Sequence, residues 1–239
     1  KEWGYKGCVV SDWGAVNNRV KGLQAGLDLE MPYSGGYNDR QIVKAVQEGR
    51  LDEAVLDEAV ERVLNVVFAG EEQHRPEDIS DKETDHKKAA DIETECAVLL
   101  ENNGILPLNT DRKVAYIGEF AEKPRYQGGG SSHINPFRVV SALDAAGEKG
   151  RSVTYAKGFS NENDSMTEQE LEKALRTAAE ADVAVIFAGL PEIFESEGYD
   201  RTSMKLPKCQ DRLIEEVLKV QPNVVVVLHN GCLLYTSPS

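Results

Sequence analysis

A carboxylate and an indole side chain, Asp12 and Trp13, stand next to each other at the end of a short apolar run. The run, residues 8–10, is typical of a strand buried on both faces, and Gly14 follows the pair. A strand-end carboxylate beside a flat ring suits sugar chemistry, because an oxygen can attack or stabilise C1 while the ring stacks on the sugar. By themselves these residues favour another interpretation, in which Asp12 caps the following helix and Trp13 fills the core.

A dense cluster of charged and aromatic side chains occupies residues 194–201, directly after the strongest predicted strand, residues 182–190. Loops at the carboxyl ends of strands are where open α/β sheets bind ligands. Two carboxylates of the cluster, Glu195 and Glu197, are separated by a single residue. Taken alone, the cluster is more typical of a solvated acidic loop.

A glycine-rich loop, residues 126–133, lies between a predicted strand and a predicted helix. Such loops can bind phosphate, but this one lacks both G-x-x-x-x-G-K-[ST] and G-x-G-x-x-G, so nucleotide binding is not expected. We interpret its three consecutive glycines, residues 128–130, as positions where the backbone approaches another group closely.

The elements that must position these residues alternate between strand and helix, which predicts an α/β protein. Residues 1–69 fit the last two βα units of a (β/α)8-type barrel. Residues 70–85 are charged and nearly without apolar side chains, which predicts a solvated linker. Residues 86–231 alternate Val-rich strands with helices, which predicts an α/β sandwich domain with a mostly parallel sheet. Residues 232–239 do not continue the pattern, and we interpret them as a non-native tail.

Periodicity also predicts the bounds of individual elements. The predicted helices are residues 15–23, 38–48, 51–68, 86–101, 136–146, 167–181 and 211–220, and the predicted strands are residues 8–10, 27–32, 113–118, 153–156, 182–190 and 223–228.

Composition excludes some classes of partner. The 239 residues carry a formal net charge of −14, which disfavours nucleic acid and anionic membrane surfaces and favours a neutral or cationic partner. Since 41% of the residues are hydrophobic, the chain can build packed cores. The longest apolar run, residues 224–228, is too short to cross a bilayer.

The cysteines show no C-x-x-C spacing, which argues against zinc and against a disulfide framework and slightly favours a reducing, cytoplasmic location. They are Cys8, Cys96, Cys209 and Cys232. No carboxylate or thiolate at ligand spacing accompanies His74 or His86, so we interpret both as surface residues.

Four motifs occur in an order that resembles glycoside hydrolase family 3, the β-glucosidase group. They are residues 9–14, residues 25–32, residues 97–100 with 105–108, and residues 195–201. The resemblance runs from residue 1 to residue 231 and implies a barrel followed by an α/β sandwich, with the active site between them. It also implies a retaining β-glucosidase that uses two carboxylates of its own and no cofactor. The implied substrate is a small molecule or an oligosaccharide.

The resemblance assigns roles residue by residue. Asp12 matches the nucleophile of the family, and Trp13 matches the aromatic side chain that flanks the bound sugar. Glu197, directly before Gly198, matches the acid/base, and Glu195 is the rival because this loop varies within the family.

The glycine-rich loop matches one that borders the sugar site, where Ser131 and Ser132 are the expected contacts. The sugar-binding residues that the family carries upstream have no counterpart, and the chain opens at Lys1 without a signal peptide. We therefore expect a fragment that is inactive by itself. A family 3 β-xylosidase or other β-glycosidase, and a non-catalytic carbohydrate-binding protein on the same fold, remain alternatives, and the oligomeric state stays open.

Overall fold

The computed structural model describes residues 2–75, 79–109, 111–231 and 233–234. The chain divides into two compact units, Lys1–Ser80 and Asp81–Ser239, and each has an apolar core of its own. The division falls inside the segment that the sequence predicts to be a linker. The predicted tail lies outside the described residues except for Leu233 and Leu234.

Helices dominate the first unit. They are α1 (Arg19–Ala25), α2 (Tyr37–Gln47) and α3 (Glu53–Gln73). Each helix buries one face in a small core that consists of Val20, Leu23, Ile42, Ala45, Leu51 and Ala59. Helix α3 runs five residues past its predicted end at Phe68, because Glu71 and Gln73 are good helix formers that need no burial.

Seven of the eight regular elements of the second unit follow the predicted alternation of strands and helices. The helices are α4 (Lys82–Cys96), α5 (Ala142–Glu148), α6 (Glu168–Ala179) and α7 (Lys208–Val220), and the strands are β1 (Val114–Ile117), β2 (Val153–Ala156), β3 (Val183–Gly189) and β4 (Val224–His229). Helix α4, which precedes the alternation, buries none of its residues.

The four strands form one parallel sheet in the order β2-β1-β3-β4. Every residue of β3 is buried, as its unbroken apolar sequence predicts for a central strand covered on both faces. The predicted mostly parallel sheet and the α/β class are confirmed.

The strand order creates a switch point between β1 and β3. From β1 the chain moves to β2 on one side, and it then returns to place β3 on the other side. The loops that leave the carboxyl ends of β1 and β3 therefore diverge, and such a crevice is where open α/β sheets bind ligands.

Four helices, α1, α4, α5 and α7, begin three or more residues away from their predicted starts, and each begins at a side-chain cap. Helix α7 begins at Lys208 rather than Asp211, since Asp164 accepts hydrogen bonds from the backbone N–H groups of Lys208 (3.0 Å) and Cys209 (2.8 Å). Helix α5 begins at Ala142 rather than residue 136, where Ser141 forms a capping box with Asp144.

Within the part of the chain that the structure describes, no helix is both long enough and apolar enough to span a membrane.

Candidate active site

Asp12 lies on a backbone segment that is joined to residues 29–31. A single parallel bridge connects Val10 with Leu29, and the Ser11 N–H donates to the Leu29 carbonyl at 2.9 Å. After the carboxylate, the Gly14 N–H donates to the Met31 carbonyl at 2.9 Å. The Asp12 side chain is exposed and accepts a 2.6 Å hydrogen bond from the N–H of the next residue. The backbone is thus fixed while the carboxylate remains accessible.

The structural alternatives for Asp12 and Trp13 are wrong. Helix α1 is capped by Asn18, whose side chain accepts from the Lys21 N–H, and not by Asp12. The Trp13 side chain is 73% exposed and fills no core. Neither residue therefore has a structural role of the kind that the sequence alone favours.

The prediction of a strand buried on both faces at residues 8–10 is also wrong for this chain. Val9 is 40% exposed and Val10 is 49% exposed. Among the described residues the only pairing of this segment is with residues 28–31, so the apolar side chains have a neighbour on one side only.

A buried ion pair between Asp28 and Arg62, which the sequence analysis missed, holds the backbone of residues 8–10 in place. Asp28 is buried and accepts from the Val9 N–H at 2.9 Å and from two nitrogens of Arg62 at 2.8 and 3.1 Å. Arg19 donates to the backbone carbonyls of Leu27 and Asp28. Burial raises the pKa of Asp28, but the hydrogen bonds from Arg62 and Val9, with the charges of both arginines, outweigh burial and bring it below its ordinary value.

Glu197 and Ser131 meet at the switch point of the second unit. Ser131 belongs to a 3-10 turn, Gly130–Ser132, after β1, and Glu197 lies in the loop after β3. The Ser131 N–H donates to Glu197 Oε2 at 2.6 Å, and the Ser131 hydroxyl donates to the same oxygen. These two bonds, the hydroxyl bond first, hold the pKa of Glu197 below its ordinary value.

Ser132, the other predicted contact of this loop, does not bond to Glu197. Its hydroxyl donates to the Gly129 carbonyl at 3.4 Å and so stays within the loop. The structure therefore brings together one of the two predicted serines and the predicted acid/base.

Two glycines of the loop allow the close approach of the two loops. Gly130 has a φ of +81°, and a Cβ there would lie 2.5 Å from both Cβ and Oε2 of Glu197. A Cβ on the buried Gly129 would overlap Ser196. The group that the glycines were predicted to approach is the Glu197 loop.

The two carboxylates of the charged cluster have opposite environments. Glu197 is exposed, whereas Glu195 is 8% exposed and forms an ion pair with Arg125. Glu195 Oε2 also accepts from the Gly231 N–H at 3.0 Å. Arg125 was missed by the sequence analysis, because a single arginine before a glycine-rich loop carries no local signal.

The described residues contain no group of three or more His, Cys, Asp or Glu side chains that could hold a metal ion. Cys8, Cys96 and Cys209 are free thiols, and Cys232 lies outside the described residues. His74 is exposed as predicted, whereas His86 is half-buried with its ring edge-on to Phe137.

Family models cover nearly the whole chain. The model of the glycosyl hydrolase family 3 N-terminal domain matches residues 1–66, and the model of the family 3 C-terminal domain matches residues 97–238. The chain belongs to glycosyl hydrolase family 3.

Similar proteins are glycosidases by name. A thermostable β-glucosidase B of Acetivibrio thermocellus is 49% identical over 234 residues, which cover 96% of this chain and 31% of that protein. An exo-α-(1→6)-L-arabinopyranosidase of Bifidobacterium longum is 41% identical over 252 residues, covering 99% of this chain and 32% of that protein. The chain thus spans about a third of the length of these relatives.

Solved structures of family 3 enzymes share the fold. The crystal structure of a β-glucosidase from Bifidobacterium adolescentis matches with a TM-score of 0.90 at 41% identity, over 98% of this chain and 34% of that one. A complex of β-glucosidase 3B from Thermotoga neapolitana with α-D-glucose matches with a TM-score of 0.79 at 28% identity, over 95% of this chain and 36% of that one.

Proposed function

We propose that this chain carries both catalytic carboxylates of a retaining glycosidase that releases terminal β-linked glucose, with Asp12 as nucleophile and Glu197 as acid/base. The activity is proposed for a complete enzyme of which the chain forms about a third, the share it covers of its relatives. Trp13 and Ser131 are proposed to contact the sugar, and Ser132 to shape the loop beside it. The substrate is a small glucoside or an oligosaccharide.

In the first step an oxygen of the ionised Asp12 carboxylate bonds to C1, and the bond from C1 to the leaving oxygen breaks. Glu197, in its protonated form, gives its proton to that oxygen. The product is a glycosyl ester on Asp12, and the departing alcohol is neutral. A retaining mechanism of this kind requires the two carboxyl groups about 5–5.5 Å apart.

In the second step Glu197, now ionised, takes a proton from water as the water oxygen bonds to C1. The ester bond to Asp12 breaks, and its carboxylate is regenerated. Two inversions at C1 leave the sugar with the β configuration it had in the substrate.

The two steps need Glu197 in opposite protonation states. The hydrogen bonds from Ser131 lower the pKa of Glu197, which favours the ionised form used in the second step. A bound sugar that excludes water raises the pKa of a carboxyl and favours the protonated form used in the first step. We therefore expect the bonds from Ser131 to weaken when substrate binds.

The observation that carries the choice of acid/base is the contrast between the two glutamates. Glu197 is exposed and held at the edge of the switch-point crevice, where a sugar could reach it. Glu195 is buried against Arg125 and is therefore unavailable for proton transfer to a substrate.

A 2-fluoro glucoside with an activated leaving group tests the nucleophile, because it forms the covalent ester but releases it slowly. We expect peptide mapping by mass spectrometry to find the sugar on Asp12 and to find none after Asp12→Asn. A label on Asp28 or Glu30 would contradict the proposal.

A second candidate is the hydrolysis of a different terminal sugar, because an exo-α-(1→6)-L-arabinopyranosidase is 41% identical to the chain. Rates of turnover of an aryl β-glucoside, β-xyloside and α-L-arabinopyranoside by the complete enzyme distinguish the two candidate activities. Fastest turnover of the β-glucoside supports the proposal, and fastest turnover of another sugar reassigns the substrate. Sugar binding without turnover of any of them would favour a carbohydrate-binding protein.

A further inference from the structure

Arg125 bonds to two points of the loop after β3, Leu190 at the start of the loop and Glu195, which lies two residues before Glu197. One terminal nitrogen of its guanidinium donates to the backbone carbonyl of Leu190 at 2.6 Å, at the carboxyl end of β3. The other donates to the backbone carbonyl of Glu195 at 2.9 Å. The nitrogen that reaches Leu190 also bonds to the Glu195 carboxylate.

The same pair of residues connects the segments that follow three strands, β1, β3 and β4. Arg125 lies in the loop after β1 that also carries Ser131, and Glu195 lies in the loop after β3. Glu195 Oε2 accepts from the N–H of Gly231, which follows β4. The exposed fractions of the Arg125 and Glu195 side chains are only 13% and 10%, so solvent screens the ion pair little.

We infer that Arg125 and Glu195 are positioning residues that hold the loop of Ser131 and the loop of Glu197 at the separation at which Ser131 bonds to the acid/base. This inference rests on the proposed role of Glu197. The two hydrogen bonds from Ser131 close only if the loops after β1 and β3 keep a fixed separation. Among the described residues, the Arg125–Glu195 ion pair is the charged connection between these loops that is largely buried.

The geometry requires a guanidinium and a carboxylate, which gives conservative substitutions with definite outcomes. Lysine at position 125 would keep the charge but has a single nitrogen, so it cannot span the two carbonyls and the carboxylate together. Glutamine at position 195 would keep the shape and one accepting oxygen but would remove the charge. Both variants preserve most of the packing and therefore are expected to fold.

The test uses the 239-residue chain and two NMR measurements, exchange of the Ser131 amide proton and titration of the Glu197 side-chain carboxyl. In Arg125→Lys and in Glu195→Gln, the Ser131 amide should exchange at least about tenfold faster, because its acceptor is no longer held in place. The carboxyl of Glu197 should titrate at a higher pH than in the parent chain, closer to that of an ordinary glutamate.

A more exposed arginine–glutamate pair of the same unit, which lies outside both loops, provides a control for the loss of an ion pair. Arg212 donates to both carboxylate oxygens of Glu168 at 2.9 and 3.0 Å, between helices α7 and α6. Glu168→Gln should leave both the Ser131 amide and the Glu197 titration unchanged. The amide of Ile186, in the buried strand β3, reports the general stability of the unit in every variant.

Unchanged Ser131 exchange and Glu197 titration in the folded variants would overturn the inference. Equal acceleration of Ile186 and Ser131 would overturn it as well, because the pair would then contribute only to general stability. Both measurements are independent of turnover, so they separate this inference from the proposed function, which the labelling of Asp12 tests. In an active complete enzyme, Glu195→Gln should lower kcat about ten- to a hundredfold with little change in KM.

Discussion

At the scale of single residues, two neighbouring glutamates differ in the roles open to them because the fold gives them different partners. Glu195 and Glu197 are separated by one residue, yet Glu195 is buried against Arg125 whereas Glu197 is exposed and bonded to Ser131. A buried and charge-paired carboxylate holds structure, because freeing it would leave an unpaired charge in the interior. An exposed carboxylate that is bonded only to neutral donors can exchange its proton with a substrate.

This division predicts different kinetics for two alanine variants of the complete enzyme. Glu197→Ala should slow glucosides with poor leaving groups by about 10²–10⁴-fold and activated aryl glucosides much less in the first step, because only the former need a proton. Added azide should restore turnover of the activated substrate by replacing the water that Glu197 would activate. If Glu195→Ala showed this pattern and Glu197→Ala did not, the acid/base assignment would be reversed.

A second residue-scale consequence concerns Asp28 and acid stability. Its folded pKa lies below the unfolded value, which is about 3.9 for an aspartate. The stabilisation it provides is therefore complete above the unfolded pKa and is lost as the pH falls through the folded pKa.

We predict that Asp28→Asn lowers the free energy of unfolding of the first unit by about 2–3 kcal/mol at pH 7, since Arg62 loses a buried charge partner. The difference between variant and parent should shrink as the pH is lowered below about 4. Urea titrations followed by circular dichroism at several pH values measure it, because the first unit is mainly helical. A difference that is constant from pH 7 to pH 2 would exclude the ion pair as its source.

At the scale of elements, the site depends on how two loops leave a parallel sheet. The order β2-β1-β3-β4 opens a crevice between the loops after β1 and β3, and glycines at the contact allow the backbones to approach. Gly130 is required for two separate reasons, its backbone conformation and its close contact with Glu197. Its φ is positive, and the space where a Cβ would stand is occupied by Glu197.

Two glycine-to-alanine variants separate these requirements. Gly150 also has a positive φ, +65°, but no atom lies within 4 Å of the position of a Cβ. Each substitution should cost about 1–2 kcal/mol in stability for the left-handed backbone. Only Gly130→Ala should also displace Glu197, measured as faster exchange of the Ser131 amide. Equal effects of both variants on that amide would contradict the steric argument.

At the scale of the whole molecule, the two units differ in how much apolar surface they bury. The core of the first unit consists of six buried side chains, whereas that of the second extends over both faces of a sheet. Several apolar side chains of α3 remain exposed, including Val60, Leu64 and Phe68. Since stability scales with buried apolar area, the first unit is expected to be the less stable.

We therefore predict two separate transitions in urea and earlier cleavage by protease within residues 1–68 than within residues 86–228. Leu23 and Leu213 are fully buried, one in each core. Leu23→Ala should lower the urea midpoint of the first transition only, and Leu213→Ala that of the second only. Each substitution should lower the free energy of unfolding of its own unit by about 2–5 kcal/mol. A single transition that both substitutions shift equally would show that the units unfold together.

The sequence by itself determined the features whose signal is local. Strand β2 has the predicted bounds, and β3 differs by one residue at each end, because a fully buried strand must be apolar throughout. The α/β class follows from the alternation of such strands with helices. The family follows from the motifs around Asp12 and Glu197. Each motif is one unbroken stretch of the chain, so it can be recognised without knowledge of tertiary contacts.

Only the tertiary structure decided the features that depend on a partner far along the chain. Asp164 caps α7 from more than 40 residues away, which periodicity within α7 cannot reveal. Asp28 meets Arg62, and Glu195 meets Arg125, across 34 and 70 residues. The different environments of Glu195 and Glu197 therefore could not be read from the loop, because the energy of a carboxylate depends on burial and on which charges and donors the fold brings to it.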